Sequence, residues 1–559
     1  MRILFLTTSH NSLSQRAFVE LTDKGYEVEI QLATSDDAMI ESVARVKPQL
    51  IIAPFLKTAI PELIWRSHIC IIVHPGIKGD RGPSSLDWAI LNDEMEWGVT
   101  LLQADAEMDA GDIWSSQNFA MPKVSKSCIY RHEVTQATIK GLLDTIVKYG
   151  QGNFIPEPLN YNNKEVKGRL RPTMKQINRK IDWTESTEII ARKIRAADSF
   201  PGVLDSIFGE EYHLFGVHEE DVLKGSPGEI LAHRNGALCR ATGDGAVWIT
   251  HLKKKGGFKL PAALVLKNRL RNIPPSPLSV FENYEGQTFR EISYEEKGNV
   301  GYLHFNFYNG AMSTDQCIRL KNTLAEIKKR EIKVIVLMGG HDFWSNGIHL
   351  NTIENADSPA DESWENINAM NDLVQEIINA DSKLVISAMQ GNAGAGGVIL
   401  ALAADYVYAR QGIVLNPHYK KMGGLYGSEY WTYLLPKRVG HIKAAELTDS
   451  CLPVSTTTAV SIGLIDDTFS ETRVDFCKRI ETIAEDLSYS SEFSHFLLEK
   501  RRNRAEDEAI KPLESYRKEE LHEMRKNFYG YDTSYHVARK NFVYKISCAT
   551  ENRLPAFNK

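Results

Sequence analysis

The sequence predicts an α/β protein of three domains: a doubly wound parallel sheet, a small β-barrel, and a ββα spiral ending in helices. Three observations carry that expectation. Short apolar runs alternate with amphipathic stretches through the first 150 residues, a block of short strands with Gly and Asn turns follows, and strand–helix alternation resumes beyond a proline-rich connector. The chain has 559 residues, and at roughly 150 residues per domain that length calls for about three or four folding units.

The first expected domain spans 1–160. RILFLT, YEVEIQLA, QLIIAP and HICIIVH read as buried strands with helical stretches between them, the pattern of a doubly wound parallel sheet. From 151 to 172 the text turns polar and irregular, as connectors do. The second expected domain, 161–270, opens with a helix over Thr184 to Ala197 behind Asp182-Trp183. It continues as GEILAHRNGALCRATGDGAVWITHL, short strands of the kind that build a small barrel. Pro274, Pro275 and Pro277 then make a stiff connector, because proline fixes φ and cannot enter a sheet ladder.

The third expected domain covers 280–559. NVGYLHFNF, STDQCIRLKNTLAEIKKR, KVIVLMGG, ENINAMNDLVQEIINA and KLVISAMQG repeat a ββα unit, and from about Glu471 charged amphipathic helices complete the chain. Their charges read as a solvated face, with Lys500, Arg501 and Arg502 as the alternative, a phosphate contact.

Composition narrows the function classes. Hydrophobic residues make up 43% and charged residues 25%, the balance of a folded globular protein. The longest stretch without a polar side chain, Ala393 to Ala404, is short of the roughly 18 to 20 residues of a membrane helix. Ile3 to Leu6 is too short an apolar run for a secretory signal, so a cytoplasmic protein is expected. A net charge of −6 gives no basic field for nucleic acid, and Lys253-Lys254-Lys255 reads as a solvated loop. Seven scattered cysteines without a CxxC suggest free thiols rather than disulfides or zinc, and no metal is expected. Phosphate-loop, HExxH and GxSxG motifs are absent.

One segment stands out in the first half: ICIIVHPGIKGDRGPSSLDWAILNDEMEWGVTLLQADAEMDAGDI. His74-Pro75 closes a strand at the carboxyl edge of the expected sheet, where ligands of open α/β folds bind. Asp109, on the turn before the next strand, is placed to support an imidazole that shuttles protons. The His-Pro strand end, Arg81-Gly82, the Ala-Ile-Leu-Asn helix end, the Gly-Val-Thr strand and the Asp-x-Gly-Asp turn resemble the formyltetrahydrofolate-dependent formyltransferases, methionyl-tRNA formyltransferase among them. The likeness extends over about 270 residues and makes the expected barrel OB-like. The resemblance implies His74 and Asp109 as catalytic residues. It also implies that Ile51 to Leu56, with Pro54, Phe55 and Leu56, holds the pterin ring, and that Arg81 and Gly82 join the folate site. The family's Asn two residues before the His, an oxyanion donor, is Ile72 here; losing such a donor commonly costs about a hundredfold to a thousandfold in rate.

In the second half, HDFWSNGIHLNTIE and QGNAGAGGVILALAADYVYA place glycines where a thioester approaches backbone. The pair resembles the crotonase (enoyl-CoA hydratase/isomerase) superfamily over roughly 285 to 470. By that resemblance Ile348 and Gly396 offer N–H groups to a thioester carbonyl, with Gly347, Ala395 and Gly397 lining the coenzyme A site. Gly396 opens a helix, whose free N–H groups favour developing negative charge. The superfamily's two hydratase glutamates fall on Ile399 and Tyr419, which argues against hydration. GGLYGSEYWTYLLPKRVG instead introduces Glu429, expected as a base with Tyr419 as its partner or acid. His349 and His418 are expected to be structural.

Together the halves resemble the HypX family of [NiFe]-hydrogenase maturation proteins along essentially the whole chain. That resemblance implies synthesis of the carbon monoxide ligand of the hydrogenase iron from 10-formyltetrahydrofolate, by formyl transfer to coenzyme A and decarbonylation of formyl-CoA. Two other functions fit the same residues: a CoA-dependent formyl or acyl transferase without CO release, and a non-catalytic folate- and CoA-binding maturation factor. The expected partners are small-molecule substrates and, on the protein side, hydrogenase maturation proteins or the hydrogenase large subunit; neither nucleic acid nor membrane is expected.

Overall fold

The computed structural model describes residues 1–470 and 472–546. Cys548 lies outside them; the other six cysteines carry free thiols. Among the described residues no helix is long and apolar enough to cross a membrane. They form two compact units, 1–276 with 286–289, and 277–285 with 290–546.

The first unit begins with β1 (Arg2–Thr7), β2 (Glu27–Leu32), β3 (Leu50–Phe55), β4 (Cys70–His74), β5 (Glu96–Gln103) and β6 (Ile113–Ala120), in the order β2-β1-β3-β4-β5-β6. Ile3 to Leu6 and Leu50 to Ala53 are fully buried, as expected of strands covered on both faces. The flanking helices start where short polar side chains accept orphan N–H groups: Asn11 from Ser14 N, and Ser35 from Ala38 N. The parallel reading holds for β1 to β4, whereas β5 and β6 pair antiparallel at the edge. The reversed strand is β5, which is antiparallel to β4 as well; its connection to β6 contains no helix, and without a crossover that adjacent strand returns antiparallel. Chain order reverses at β1, so the carboxyl ends of the central strands, where His74 lies, form the ligand edge of such a sheet.

The polar segment after residue 151 is more ordered than a linker. Gly168 N donates to Lys78 O (2.9 Å), Arg171 N donates to Arg81 O (3.0 Å), and Trp88 Nε1 donates to Pro172 O (2.8 Å). It thus runs along the loop that follows His74 and brings Arg171 to it.

The rest of this unit is an antiparallel sheet of β7 (Val203–Ile207), β8 (Glu210–Glu220), β9 (Ile230–Arg234), β10 (Ala237–Ala241), β11 (Ala246–Lys253) and β12 (Leu260–Pro261). Its order is β7-β8-β11-β10-β9, with β12 on β11. The barrel expected here is not closed: among the described residues no ladder joins β7 to β9. Its apolar face is covered instead by the helix Thr187–Ala197, whose Ile190, Ala191 and Ile194 pack with Val203, Leu214 and Val247.

The second unit winds as expected of a ββα spiral. One sheet holds β13 (Ile292–Lys297), β14 (Val300–Phe305), β15 (Val334–Gly339), β17 (Leu384–Met389), β19 (Tyr406–Arg410) and β22 (Asp467–Phe469). The second holds β16 (Phe343–Ser345), β18 (Asn392–Gly394), β20 (Val414–Asn416) and β21 (Val454–Ser455). Each of β15, β17 and β19 is followed after a tight turn by a short strand of the second sheet, so the glycine-rich motifs lie side by side on β16, β18 and their exits. The C-terminal helices are Arg473–Tyr489, Phe493–Ile510, Leu513–Tyr529 and Ser534–Tyr544. Phe493–Ile510 buries none of its residues, as a solvated face should, but Leu513–Tyr529 buries Leu513, Glu520, Met524 and Phe528. Lys500 is tied to Asp405 Oδ2 (2.6 Å) and Lys383 O (2.8 Å), and Arg501 to Asp381 O (2.9 Å), which gives both structural partners.

Candidate functional site

In the first unit His74 ends β4, buried, with carboxylates at both ring nitrogens. Nε2 lies 2.9 Å from Asp80 Oδ2, and Nδ1 lies 3.5 Å from Asp109 Oδ2. Sequence reasoning paired His74 with Asp109; the nearer partner is Asp80. A tight loop makes this possible: Gly79 and Gly82 take positive φ (85° and 111°), turning the chain so that Asp80 faces back onto the ring. Pro75 O accepts from Ser85 Oγ (2.6 Å) and Trp97 Nε1 (3.0 Å), and Gly76 O accepts from Thr100 Oγ1 (2.8 Å), which fixes the strand exit. Asp80 Oδ1 is buried without a hydrogen-bond partner among the described residues; the Arg171 Nε stands 3.5 Å away.

Two of the other residues expected at a folate site lie beside this pair. Arg81 donates to Glu107 Oε1 (2.6 Å) and Met108 O (3.1 Å), and Gly82 N donates to Asp109 Oδ2 (3.3 Å), so both hold the turn that presents Asp109. Asp109 itself sits at φ 57°, a left-handed conformation that Asp tolerates better than most residues. Pro54 is buried in β3, and Phe55 O accepts from Thr8 N (2.7 Å) and Thr7 Oγ1 (3.0 Å). Leu56 and Ile72 pack against the same apolar cluster, so the position of the missing Asn is occupied by a packed aliphatic group.

In the second unit the expected oxyanion groups come together. Gly347 has φ 75°, and a Cβ there would stand 3.4 Å from Gly396 N, which places the two motif turns in contact. Gly347 N donates to Ser345 Oγ (3.1 Å), His349 N to Asn366 Oδ1 (3.0 Å) and Ala395 N to Asn416 O (2.8 Å). Among the described residues the N–H groups of Ile348 and Gly396 have no acceptor, leaving them for a ligand. Gly397 must be glycine because a Cβ would strike Ser345 O.

Glu429 faces this pair. It is 1% exposed; Oε2 accepts from Tyr419 Oη (2.8 Å) and Ser428 N (3.2 Å), while Oε1 is buried without a hydrogen-bond partner among the described residues. A methyl group added to Gly396 would run into this carboxylate. Burial, reinforced by the Glu520 charge and opposed by the Tyr419 hydrogen bond, pushes the Glu429 carboxyl up to about 8. Burial and then Glu429 hold the Tyr419 hydroxyl well above its usual value, so it stays a donor. Ile399, at the first hydratase position, is fully buried in the helix Gly396–Leu402. His349 Nδ1 accepts from Thr352 N (3.2 Å) as a helix cap, and burial pulls both His349 and His418 down to about 4, consistent with neutral structural imidazoles.

The structure therefore groups His74, Asp109, Arg81 and Gly82 in one unit, and Ile348, Gly396, Gly347, Tyr419 and Glu429 in the other. It adds three residues that sequence reasoning missed: Asp80, Asn371, whose Oδ1 accepts from Glu429 N (2.7 Å), and Glu520. Glu520 was traceable. Leu513, Glu520, Met524 and Phe528 share one helix face, so a carboxylate sits on the buried stripe. A carboxyl whose proton affinity is raised by burial to about 8, with one oxygen unpartnered beside Gly396, is suited to exchanging a proton near neutral pH, accepting it in the ionised form.

Residues 173–270 match the formyl transferase C-terminal domain, and residues 295–529 match the enoyl-CoA hydratase/isomerase family. A methionyl-tRNA formyltransferase of Streptococcus agalactiae is 30% identical over 220 residues, 39% of this chain and 68% of that protein. The crystal structure of HypX from Aquifex aeolicus in complex with tetrahydrofolic acid superposes with a TM-score of 0.95 at 47% identity, covering 98% of this chain and 97% of that one. The hydrogenase maturation factor HoxX of Bradyrhizobium diazoefficiens is 47% identical over 549 residues, 98% of this chain and 95% of that protein. With that identity spanning both units, the chain belongs to the HypX/HoxX family of hydrogenase maturation factors.

Proposed function

We propose that this maturation factor acts in the cytoplasm and makes the carbon monoxide ligand of the [NiFe]-hydrogenase iron, using 10-formyltetrahydrofolate as formyl donor and coenzyme A as acceptor and recycled carrier. Three findings support the folate half: the formyltransferase match, the tetrahydrofolate complex of the Aquifex relative, and the His74–Asp109 pair. The CoA half rests on the hydratase/isomerase match and the paired N–H groups of Ile348 and Gly396.

At the first site His74, oriented by Asp80 and Asp109, takes the proton of the CoA thiol. A C–S bond forms, the folate N–C bond breaks, and the proton passes to the folate nitrogen. Pro54, Phe55 and Leu56 would hold the pterin, with Arg81 and Gly82 fixing the adjoining turn. At the second site the formyl oxygen of formyl-CoA accepts from Ile348 and Gly396, and Gly347, Ala395 and Gly397 leave room for the thioester. Glu429 removes the formyl proton; the C–H pair becomes the carbon lone pair of CO, the C–S pair departs with sulfur, and the proton returns to the thiolate with Tyr419 as relay. CO and free CoA result.

The observation that carries this reading is the open Oε1 of Glu429 beside Gly396, in a site where both hydratase glutamates are replaced. Purified protein supplied with 10-formyltetrahydrofolate and CoA should release CO, trapped as carbonmonoxyhaemoglobin, and Glu429→Ala should not. Equal CO from both proteins would refute the assignment. Formyl-CoA or formate as the end product would mark a CoA-dependent formyltransferase, and neither product would leave a binding factor. The proposed protein partners are the hydrogenase large subunit or other maturation proteins.

A further inference from the structure

Glu429 is presented by a backbone that needs holding. Glu429 and Tyr430 are consecutive left-handed residues, with φ of 64° and 62°, a region that is strained for a non-glycine residue. The groups that hold this turn come from two helices. From Pro359–Ile378, Asn371 Oδ1 accepts from Glu429 N (2.7 Å) and lies 2.9 Å from Ser428 Oγ. From the C-terminal helix Leu513–Tyr529, Glu520 Oε2 accepts from Tyr430 N (2.9 Å) and lies 3.3 Å from Ser428 Oγ, while Oε1 accepts from Thr432 N (2.8 Å) and Thr432 Oγ1 (2.5 Å). Glu520 is fully buried and makes no ion pair in this set; a carboxylate placed there without a cation is costly unless its hydrogen bonds are filled, as they are.

We propose that Glu520, contributed by the C-terminal helices, is the positioning residue that clamps the Ser428–Thr432 turn and holds the Glu429 carboxyl against Gly396. Its charge adds a second effect. Around Glu429 stand Tyr419 on the loop after β20, Glu520 on Leu513–Tyr529, and the buried Cys317 thiol on the helix Thr314–Ile327. Tyr419 and Cys317 remain protonated, so Glu520 is the like charge among them; burial pushes it up to about 7. A negative neighbour disfavours loss of the Glu429 proton, so removing that charge lowers the pH at which Glu429 ionises.

This inference deepens the proposed role of Glu429 and rests on it, but its primary readout needs no turnover. In the full-length protein the carboxylic C=O stretch of Glu429 is isolated by infrared spectroscopy as the band absent from Glu429→Gln, and followed from pH 5 to 10. Glu520→Gln should move its midpoint down by about one unit and lower the CO release rate at least tenfold with little change in the KM for formyl-CoA. Thr432→Val is nearly isosteric and removes one hydrogen bond that keeps Glu520 ionised. It should shift the midpoint the same way by a smaller amount, and it carries the test if Glu520→Gln does not fold. An unchanged midpoint in the folded variants would overturn the inference even where the wild type makes CO. A shifted midpoint in a protein that makes no CO would uphold the positioning and defeat the functional reading alone.

Discussion

The two sites use buried carboxylates in opposite surroundings. In the first, Asp80 and Asp109 flank an imidazole and Arg171 stands beyond Asp80, so ionisable groups of opposite type alternate across the site. In the second, Glu429 and Glu520 lie among Tyr419, Ser428, Thr432 and Asn371, none of which is a cation. Carboxylates that orient a base act through their geometry, at 2.9 and 3.5 Å from the two ring nitrogens here. A carboxyl that must collect a proton from carbon and pass it on gains from burial and a like-charged neighbour, which bring its affinity near the working pH.

The largest separation of the two sites should come from His74→Ala. Consumption of 10-formyltetrahydrofolate should fall by about 10²–10⁴, while CO release from supplied formyl-CoA should continue at the wild-type rate. Assaying the two half-reactions separately checks this, and parallel loss in both would mean that the chemistry is not divided as proposed. Next in size is the contrast between Asp80→Asn and Asp109→Asn. The nearer carboxylate, at 2.9 Å rather than 3.5 Å, should matter more for formyl transfer, by about tenfold between the two variants. A larger loss in Asp109→Asn would return the orienting role to the residue that sequence reasoning chose.

These contrasts follow what could be read from the chain. The strands announced themselves because buried parallel strands are continuous apolar runs, and Glu429 was expected from the likeness of GGLYGSEYWTYLLPKRVG to a crotonase helix start. Asp80 was hidden because only the left-handed Gly79 and Gly82 fold it onto a ring six positions earlier. Glu520 could be placed on the buried stripe of its helix, but its partner could not, because it lies 90 residues from the Tyr430 N–H it binds. The expected barrel misled for a related reason: strand pattern reports pairing-competent segments, while closure depends on whether a helix already covers the open face, as Thr187–Ala197 does.

The third expected effect is on the pH profile of the second half-reaction. If Glu429 is the base, the rate of CO release from formyl-CoA should rise with pH and level off above about 8, since only the ionised form accepts the formyl proton. A rate flat from pH 6 to 9 would assign the proton transfer elsewhere.

The smallest effect is on stability, and its sign follows from the same shift. Folding raises the proton affinity of Glu429 from its ordinary value of 4.5 to about 8, so between those pH values the folded state holds a proton that the unfolded chain has lost. That contribution is complete below 4.5 and disappears as pH rises through 8. Gln at this position is neutral at every pH and keeps an acceptor for the Tyr419 hydroxyl. Glu429→Gln should therefore melt close to the wild type at pH 5 and progressively above it toward pH 9, by about 2–4 °C for each kcal/mol gained. Thermal unfolding at pH 5, 7 and 9 measures the widening gap. A constant gap would mean that Glu429 ionises in the folded protein as it does in water, and the contrast with the first site, a paired carboxylate against a proton-holding one, would no longer stand.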